Sequence, residues 1–427
     1  MRFKAPRGTH DILPAEQEYW RFIVDRAEKL ARTYGYRRID TPVFEQAGLF
    51  TRSVGEGTDI VEKETYTFSD RGGEELTLCP EGTASVCRAY IEHGMRSWPQ
   101  PVRLFYFSPI FRYERPQSGR FRQHYHFGVE AIGDSNPAVD AEVIELAWRL
   151  SKDLGLNDVD LLLNSIGCKD CRPVYLAALR EYFHSFVTRG EVCPDCKVRS
   201  KRNILRMLDC KRTDFACQDL IVDAPVTTQY LCSDCDDHWN MTKRHLTNLE
   251  IPFVVAHRLV RGLDYYSRTT FEIQPRGIQG AQTTILGGGR YDGLFDELGA
   301  PSTPGIGFGS GVERWVLGLQ RQEIALAVDV GPTAVVISQS AQAQEYAVCL
   351  TARLRAKGIE TVLAPQGRSL RGQMRHASAS GAQYALIVGD DEVSQETVQV
   401  KEMATGQQNA ESYSEVHMKL VVEGFRQ

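Results

Sequence analysis

The sequence predicts a chain of mixed helix and strand, an α+β body followed by a small α/β domain. Three observations carry that expectation. Residues 102–132 hold two β-rich runs on either side of the turn-forming ERPQSGR, which reads as a long antiparallel hairpin. Residues 333–389 alternate strand and helix (TAVVIS, AVCLTARLRAKG, ETVLAP, LRGQMRHASASG, YALIVG), the pattern of a partly parallel sheet. Between the two, residues 167–247 break the pattern with clustered cysteines and charged, helical text.

Each element has a local reason. Residues 15–34 carry Trp20, Ile23, Val24, Ala27 and Leu30 on one side of a helix that Gly35 ends. YRRIDTPVFE follows as an extended segment. In CPEGTASVCRAYIEHG, Pro80 and Gly82 make a turn before a helix. Strand-like text resumes at FVVAHRLVRGLDYYSRTTFEIQP, continues through TTILGGGRYDGL and ends in PGIGFGSGVERWVLGL, a Gly-rich strand entering a helix. Residues 320–332 read as a linker.

A chain of 427 residues is long enough for two or three domains, and 42% apolar with 25% charged residues is ordinary globular composition. No apolar run approaches the roughly 20 residues of a membrane helix, and the opening MRFKAPRGTHDILP has no apolar signal region, so a cytoplasmic protein is expected. A net charge of −5 argues against a protein wrapped in nucleic acid. It leaves room for RNA met through local patches such as residues 111–130, KVRSKRNILR and GRSLRGQMRH.

No Walker loop or dinucleotide fingerprint is present, so a bound nucleotide must be held by side chains on a sheet. Arginine suits that task, because its planar fork pairs two phosphate oxygens and also stacks on bases. Arg112 ends a hairpin strand and Arg314 opens a helix, so the two can clamp opposite ends of a triphosphate; paired surface arginines are the plain alternative. In RGLDYYSRT, strand alternation sends Asp264 and Tyr266 to one face and Tyr265 to the other. Packing tyrosines are the alternative there. Glu81 after Pro80 has one too, as a helix-terminal residue favoured by the helix dipole.

Eight of the 11 cysteines lie between Cys168 and Cys235. They read CKDC (Cys168, Cys171), CPDC (Cys193, Cys196), Cys210, Cys217 and CSDC (Cys232, Cys235). Each C-x-x-C can give two thiolates to a tetrahedral structural Zn²⁺, which would staple an insert with few apolar residues of its own. Eight thiols allow two four-cysteine sites, and the spacing does not assign the pairing. Free thiols are the alternative; a redox role lacks a thioredoxin-like context.

Taken in order, PRGTHDILP, YRRIDTPVFE, PEGTAS, FRYERPQSGR, RGLDYYSRT, GGGRYDGL and GIGFGSGVERW closely resemble the histidyl-tRNA synthetases, a class II aminoacyl-tRNA synthetase family. The resemblance runs nearly end to end. It implies an α+β catalytic domain on a mixed, mainly antiparallel sheet (residues 1–166 and 249–322), a cysteine-rich helical insertion domain (167–248) and a C-terminal α/β anticodon-binding domain (333–427). It implies ATP and L-histidine as substrates, Mg²⁺ on the phosphates, tRNA(His) as partner, and a homodimer with TPVFE near its interface. Arg112 and Arg261 become catalytic, Arg112 at the α-phosphate and Arg261 beside the substrate carboxylate. Glu114, Arg120, His124 and Arg314 join Arg112 at ATP. Glu81, Thr83, His126, Glu130, Tyr265, Tyr266 and Tyr291 join Arg261 at histidine, and Arg115 and Gln117 meet the tRNA acceptor end.

The chain departs from the family where Phe and Gln usually stand, at His124 and His126, and Cys79 replaces a common Arg. A protonated His126 would repel the substrate ammonium, so the pocket is expected either to need it neutral or to work with weaker contacts to the amino group. Two non-catalytic readings compete: a regulatory synthetase paralogue, which would tend to lose RGLDYY and the phosphate arginines, and a zinc-dependent RNA-binding protein, which leaves Glu81, Glu130 and Tyr266 without purpose.

Overall fold

The structure, a computed structural model, describes residues 3–55, 60–117, 119–277, 284–324, 331–418 and 420. The chain divides into two compact units, Met1–Leu326 and Ala327–Gln427. The greater part of the expected linker, residues 325–330, lies outside the described residues.

The first unit opens with α1 (Pro14–Thr33), which starts on a proline at its first turn, where no amide is needed, and buries Ile23, Ala27, Leu30 and Ala31 at helical spacing. Strands β1 (Arg37–Arg38), β2 (Phe44–Gln46), β3 (Tyr66–Ser69) and β4 (Glu75–Leu78) follow, with α2 (Ala47–Val54) after β2 and α3 (Thr83–Glu92) after β4. The predicted hairpin is β5 (Val102–Phe111) and β6 (Gln123–Ile132), antiparallel over their full length. After α4 (Pro137–Asp153) and β7 (Val159–Ser165) come the helices of the insert, α5 (Arg172–Thr188), α6 (Pro194–Arg202), α7 (Cys217–Val222) and α8 (Ser233–Asn248). Strands β8 (Val254–Val255), β9 (Ser267–Pro275) and β10 (Leu286–Arg290), the short α9 (Leu294–Glu297), β11 (Gly305–Gly311) and α10 (Val312–Arg321) complete the unit.

Its main sheet has the order β1-β5-β6-β11-β10-β9-β7-β8. Only the outermost pairs, β1 with β5 and β7 with β8, are parallel. A mixed, mainly antiparallel sheet is therefore what the fold presents. Alternation along β6 sends Phe127, Val129 and Ala131 into one core with Ile23 and Ala27 of α1, Val143 and Ala147 of α4, and Trp315 of α10. Phe127 is fully buried, its ring 5.0 Å from Phe107 and 5.8 Å from Phe308.

Two expectations about the insert are corrected. It has an apolar core of its own, in which Tyr175, Leu179, Phe183, Met207 and Ile221 pack with Cys193, Cys196, Cys210 and Cys217. Its last helix, α8, instead buries Trp239 and Leu246 in the core of the sheet.

The second unit carries β12 (Ala334–Ser338), α11 (Ala341–Ala356), β13 (Thr361–Leu363), α12 (Leu370–Ala379), β14 (Tyr384–Val388), α13 (Asp390–Gln395), β15 (Thr397–Glu402) and β16 (Gln408–Ser412). The order is β13-β12-β14-β15-β16, parallel through the first three and antiparallel beyond. Strands β15 and β16 lie beyond the expected series; along β15 the alternating TVQVKE buries its two valines.

Phe127→Ala removes a ring enclosed by three others and is expected to destabilise the first unit by about 3–5 kcal/mol. The check is its urea transition; a shift under about 1 kcal/mol would mean that this core does not carry the sheet.

Candidate functional site

Alternation on β6 decides where the site lies. Tyr125 faces the core, its ring 5.3 Å from Trp20, while His124, His126 and Glu130 take the opposite face. The HYH run is one core tyrosine between two site histidines. On the neighbouring β11, Gly305, Gly307, Gly309 and Gly311 share that site face. A Cβ at Gly305 would strike the Tyr291 ring, and one at Gly307 the Glu130 carboxylate. The strand is glycine-rich because its neighbours' side chains fill the space its own would occupy.

A cavity of about 810 Å³ opens on this face, walled by Arg112, Glu114, Arg120, His124, His126, Arg261, Glu272 and Arg314. Three segments deliver the arginines. Arg112 follows β5 and is steered by its Nε donating to Pro80 O at 2.7 Å. Arg261 pairs with Glu272, whose other oxygen accepts from Thr284 Oγ1 at 2.8 Å, and its guanidinium lies 5.6 Å from the Tyr266 ring centre. Arg314 sits in the first turn of α10, its Nε donating to Gly119 O at 3.3 Å and its Nη1 to Thr284 O. Arg120 pairs with Glu114 and with Glu64 at 3.4 Å.

Burial lowers the pKa of Arg112, and burial with the charge of Arg112 brings Arg314 down to about 10. Burial also works against the Arg261 charge, but Glu272 more than restores it. The histidines answer the same field. Burial, then Arg112 and Arg314, push His124 down to about 3; burial, then His124 and Arg112, hold His126 well below its usual range. Their Nε2 atoms lie 3.2 Å apart, which suits two neutral rings of opposite tautomer. These surroundings favour the neutral form of His126, the first of its two expected states.

Beside the cavity, not on its wall, lies a buried polar network. Thr83 Oγ1 donates to Glu130 at 2.8 Å, and the Tyr291 hydroxyl donates to its other oxygen at 2.6 Å. Tyr106 adds a third donor at 3.4 Å. Burial pushes Glu130 up to about 8 although these donors oppose it, so its carboxyl can give or accept a proton near neutrality. Glu81 accepts from Thr83 N and Ala84 N, both at 2.8 Å, and from the Tyr265 hydroxyl at 3.4 Å. Its helix-terminus reading therefore also holds, since it accepts from the first two amides of α3.

The alternation expected for RGLDYY is overturned. That segment precedes β9 as a turn, and Tyr265 and Tyr266 are both buried with ring centres 4.8 Å apart. Arg115 and Gln117 are exposed on the hairpin loop. Cys79 is buried, its Sγ 3.6 Å from Ser85 Oγ, and makes no charge pair.

Two contacts were not foreseen from the sequence, and the cysteine pairing that spacing left open is assigned by the fold. Arg290, fully buried, pairs with Asp140, on whose other oxygen His238 of α8 closes at 2.7 Å. Burial opposes the Asp140 charge, yet Arg290 and His238 hold it at about 2. Glu313 accepts from Tyr125 N at 3.0 Å and so ties α10 to the HYH strand. Cys210 and Cys217 complete a quartet with Cys193 and Cys196, while Cys168, Cys171, Cys232 and Cys235 form another. The Arg-Tyr-Asp run and the leftover cysteines were the available signals.

An eight-stranded, mainly antiparallel sheet that gathers arginines over a cavity is the fold of class II aminoacyl-tRNA synthetases. A family model described as histidyl-tRNA synthetase matches residues 8–170, and one described as an anticodon binding domain matches 333–423. The histidine–tRNA ligase of Dehalococcoides mccartyi (strain 195) is 53% identical over 92% of this chain and 93% of its own length. That of Pelotomaculum thermopropionicum is 47% identical over 95% and 94%. The crystal structure of the apo S. aureus histidyl-tRNA synthetase superposes with a TM-score of 0.82 at 37% identity, covering 98% of this chain and 100% of that one. The chain belongs to the histidyl-tRNA synthetase family.

Neutral His124 has a consequence for stability. Its folded pKa of about 3 lies below the unfolded 6.5, so the unfolded state gains a proton first as pH falls through 6.5, and stability drops. His124→Gln removes that loss. Relative to the parent, it is expected to gain on the order of 2 kcal/mol between pH 8 and pH 5, read by urea unfolding at both pH values. A difference that does not change with pH would show that His124 titrates normally.

Proposed function

We propose that the protein is a histidine–tRNA ligase, activating L-histidine with ATP and passing the acyl group to the 3′ end of tRNA(His). The observation that carries this is the convergence of Arg112, Arg261 and Arg314 on one cavity beside the buried Glu130 network. Attack of the histidine carboxylate on the α-phosphate expels pyrophosphate, and negative charge builds on the phosphate oxygens. Preorganised guanidinium groups answer that charge without moving. Arg112 holds the α-phosphate, Arg261 the α-phosphate and substrate carboxylate, and Arg314 the γ-phosphate. Glu114 and Arg120 support the nucleotide, and the neutral ring of His124 offers a face for the adenine. Mg²⁺ bound to the phosphates would share their charge.

Histidine is received by the polar network. Glu81, Thr83 and neutral His126 meet its ammonium, which no charged imidazole then repels. Glu130 and Tyr266 read the two imidazole nitrogens, with Tyr265 and Tyr291 closing the pocket; a carboxyl pushed up to about 8 can serve either tautomer. Arg115 and Gln117, exposed on the loop above, meet the acceptor end of the tRNA. In the second unit, Arg368, Arg371 and Arg375, exposed at the start of α12, meet RNA phosphate.

Catalytic parts over residues 1–166 and 249–322, an insertion at 167–248 and an anticodon-binding part at 333–427 complete this reading. The cysteines of the insert would hold structural zinc. A cytoplasmic homodimer is supported by the exposed Val43, Phe44 and Phe68 around β2 and β3, and no helix among the described residues is long and apolar enough to cross a membrane.

The test is histidine-dependent exchange of labelled pyrophosphate into ATP. The protein is expected to catalyse it, and Arg261→Ala to lose at least ~10²-fold, the scale of removing one preorganised stabilising group. Absence of exchange with any divalent metal would overturn the assignment.

A further inference from the structure

The cysteine quartets carry an inference about metal that reaches into the nucleotide cavity. In each quartet all four sulfurs lie within 4.8 Å of one another. Cys168 Sγ is 3.7 Å from Cys171 and 3.9 Å from Cys232, and Cys193 Sγ is 3.8 Å from Cys210. Four thiolates at the Zn–S bond length of about 2.3 Å define a tetrahedron with edges of about 3.8 Å. The Cys168–Cys171, Cys168–Cys232 and Cys193–Cys210 separations match the edges of such a tetrahedron, with a sulfur at each corner. A disulfide needs about 2.0 Å, and a polynuclear iron–sulfur cluster spreads its thiolates over several irons, wider than this.

The surroundings suit thiolates. Cys171, Cys193 and Cys232 are the N-cap residues of α5, α6 and α8, where the helix dipole favours negative charge. Backbone amides point at the sulfurs: Cys168 N to Cys171 Sγ at 3.2 Å, Asp170 N to Cys168 Sγ at 3.4 Å, Cys193 N to Cys217 Sγ at 3.2 Å and Cys196 N to Cys193 Sγ at 3.4 Å.

The quartets do different work. The first lies at the root of the insert, where Arg172, next to Cys171, donates to the carbonyl oxygens of Ile166 and Tyr266. The second includes Cys210, and Asp209, Cys210, Lys211 and Arg212 are among the residues that line the arginine cavity, with Lys211 paired to Asp209 at 3.0 Å and Arg212 to both oxygens of Asp214 at 2.7 and 2.5 Å. We infer that the chain binds two zinc ions, one per quartet, and that the second zinc holds Lys211 and Arg212 against the nucleotide's phosphates. The second clause rests on the ligase reading; the first does not.

Protein purified without chelator is expected to carry two zinc ions per chain by plasma mass spectrometry, and Cys171→Ser and Cys196→Ser one each. Cys196→Ser is further expected to weaken a non-hydrolysable ATP analogue by roughly tenfold, the loss of about one charge-assisted contact, while histidine affinity holds. If either variant fails to fold, cobalt exchange into the intact chain reads the same claim: two equivalents with tetrathiolate absorption bands. One metal ion, none, or iron in place of zinc overturns the two-site assignment. Two zinc ions with unchanged analogue affinity in Cys196→Ser overturn the coupling. Because the metal count needs no turnover, its failure is separable from failure of the ligase reading.

Discussion

The site depends on keeping several guanidinium groups charged in one partly buried cavity. Burial works against the charge of Arg112, Arg261 and Arg314. Glu272 answers Arg261 and Glu114 comes within 3.9 Å of Arg112, while carbonyl oxygens of Pro80, Gly119 and Thr284 orient Arg112 and Arg314. A carbonyl supplies a partial charge and leaves the field of the cation largely intact. The cavity is left with positive potential that a polyanion can complete. The same field, with burial, keeps His124 and His126 neutral, so the unusual HYH adds hydrogen-bonding surface without adding charge.

Geometry serves that electrostatic design. Side chains alternate along β6, so one face becomes core while the other presents His124, His126 and Glu130. The alternate glycines of β11 leave room for them, and Gly287 on β10 does so for the Arg261 guanidinium. Buried Asp140 joins Arg290 of β10 to His238 of α8. An ion pair of this kind holds register more than it adds stability, because desolvation offsets much of the attraction. Here it ties the sheet to the helix that begins at the first cysteine quartet.

Much of this was legible in the sequence, for physical reasons. The hairpin, α1 and the parallel part of the second unit's sheet follow from local periodicity, and Arg112 and Arg314 from their places at a strand end and a helix start. RGLDYY was misread because strand alternation was extended into a turn, where Tyr265 and Tyr266 bury together. The insert's apolar core was missed because its residues are spread over α5, α7 and the segment between, with no single run to betray them. Pairing of the cysteines and the Asp140–Arg290 contact are long-range facts, which spacing along a chain does not contain.

The excess of arginine over carboxylate on the cavity wall exists for the phosphates of a nucleotide. Calorimetric titration with adenosine, AMP, ADP and ATP in the presence of Mg²⁺ tests it most directly. Affinity should rise with each phosphate, and Arg314→Ala should abolish the preference for ATP over ADP. Equal binding of AMP, ADP and ATP by the unmodified protein would contradict it.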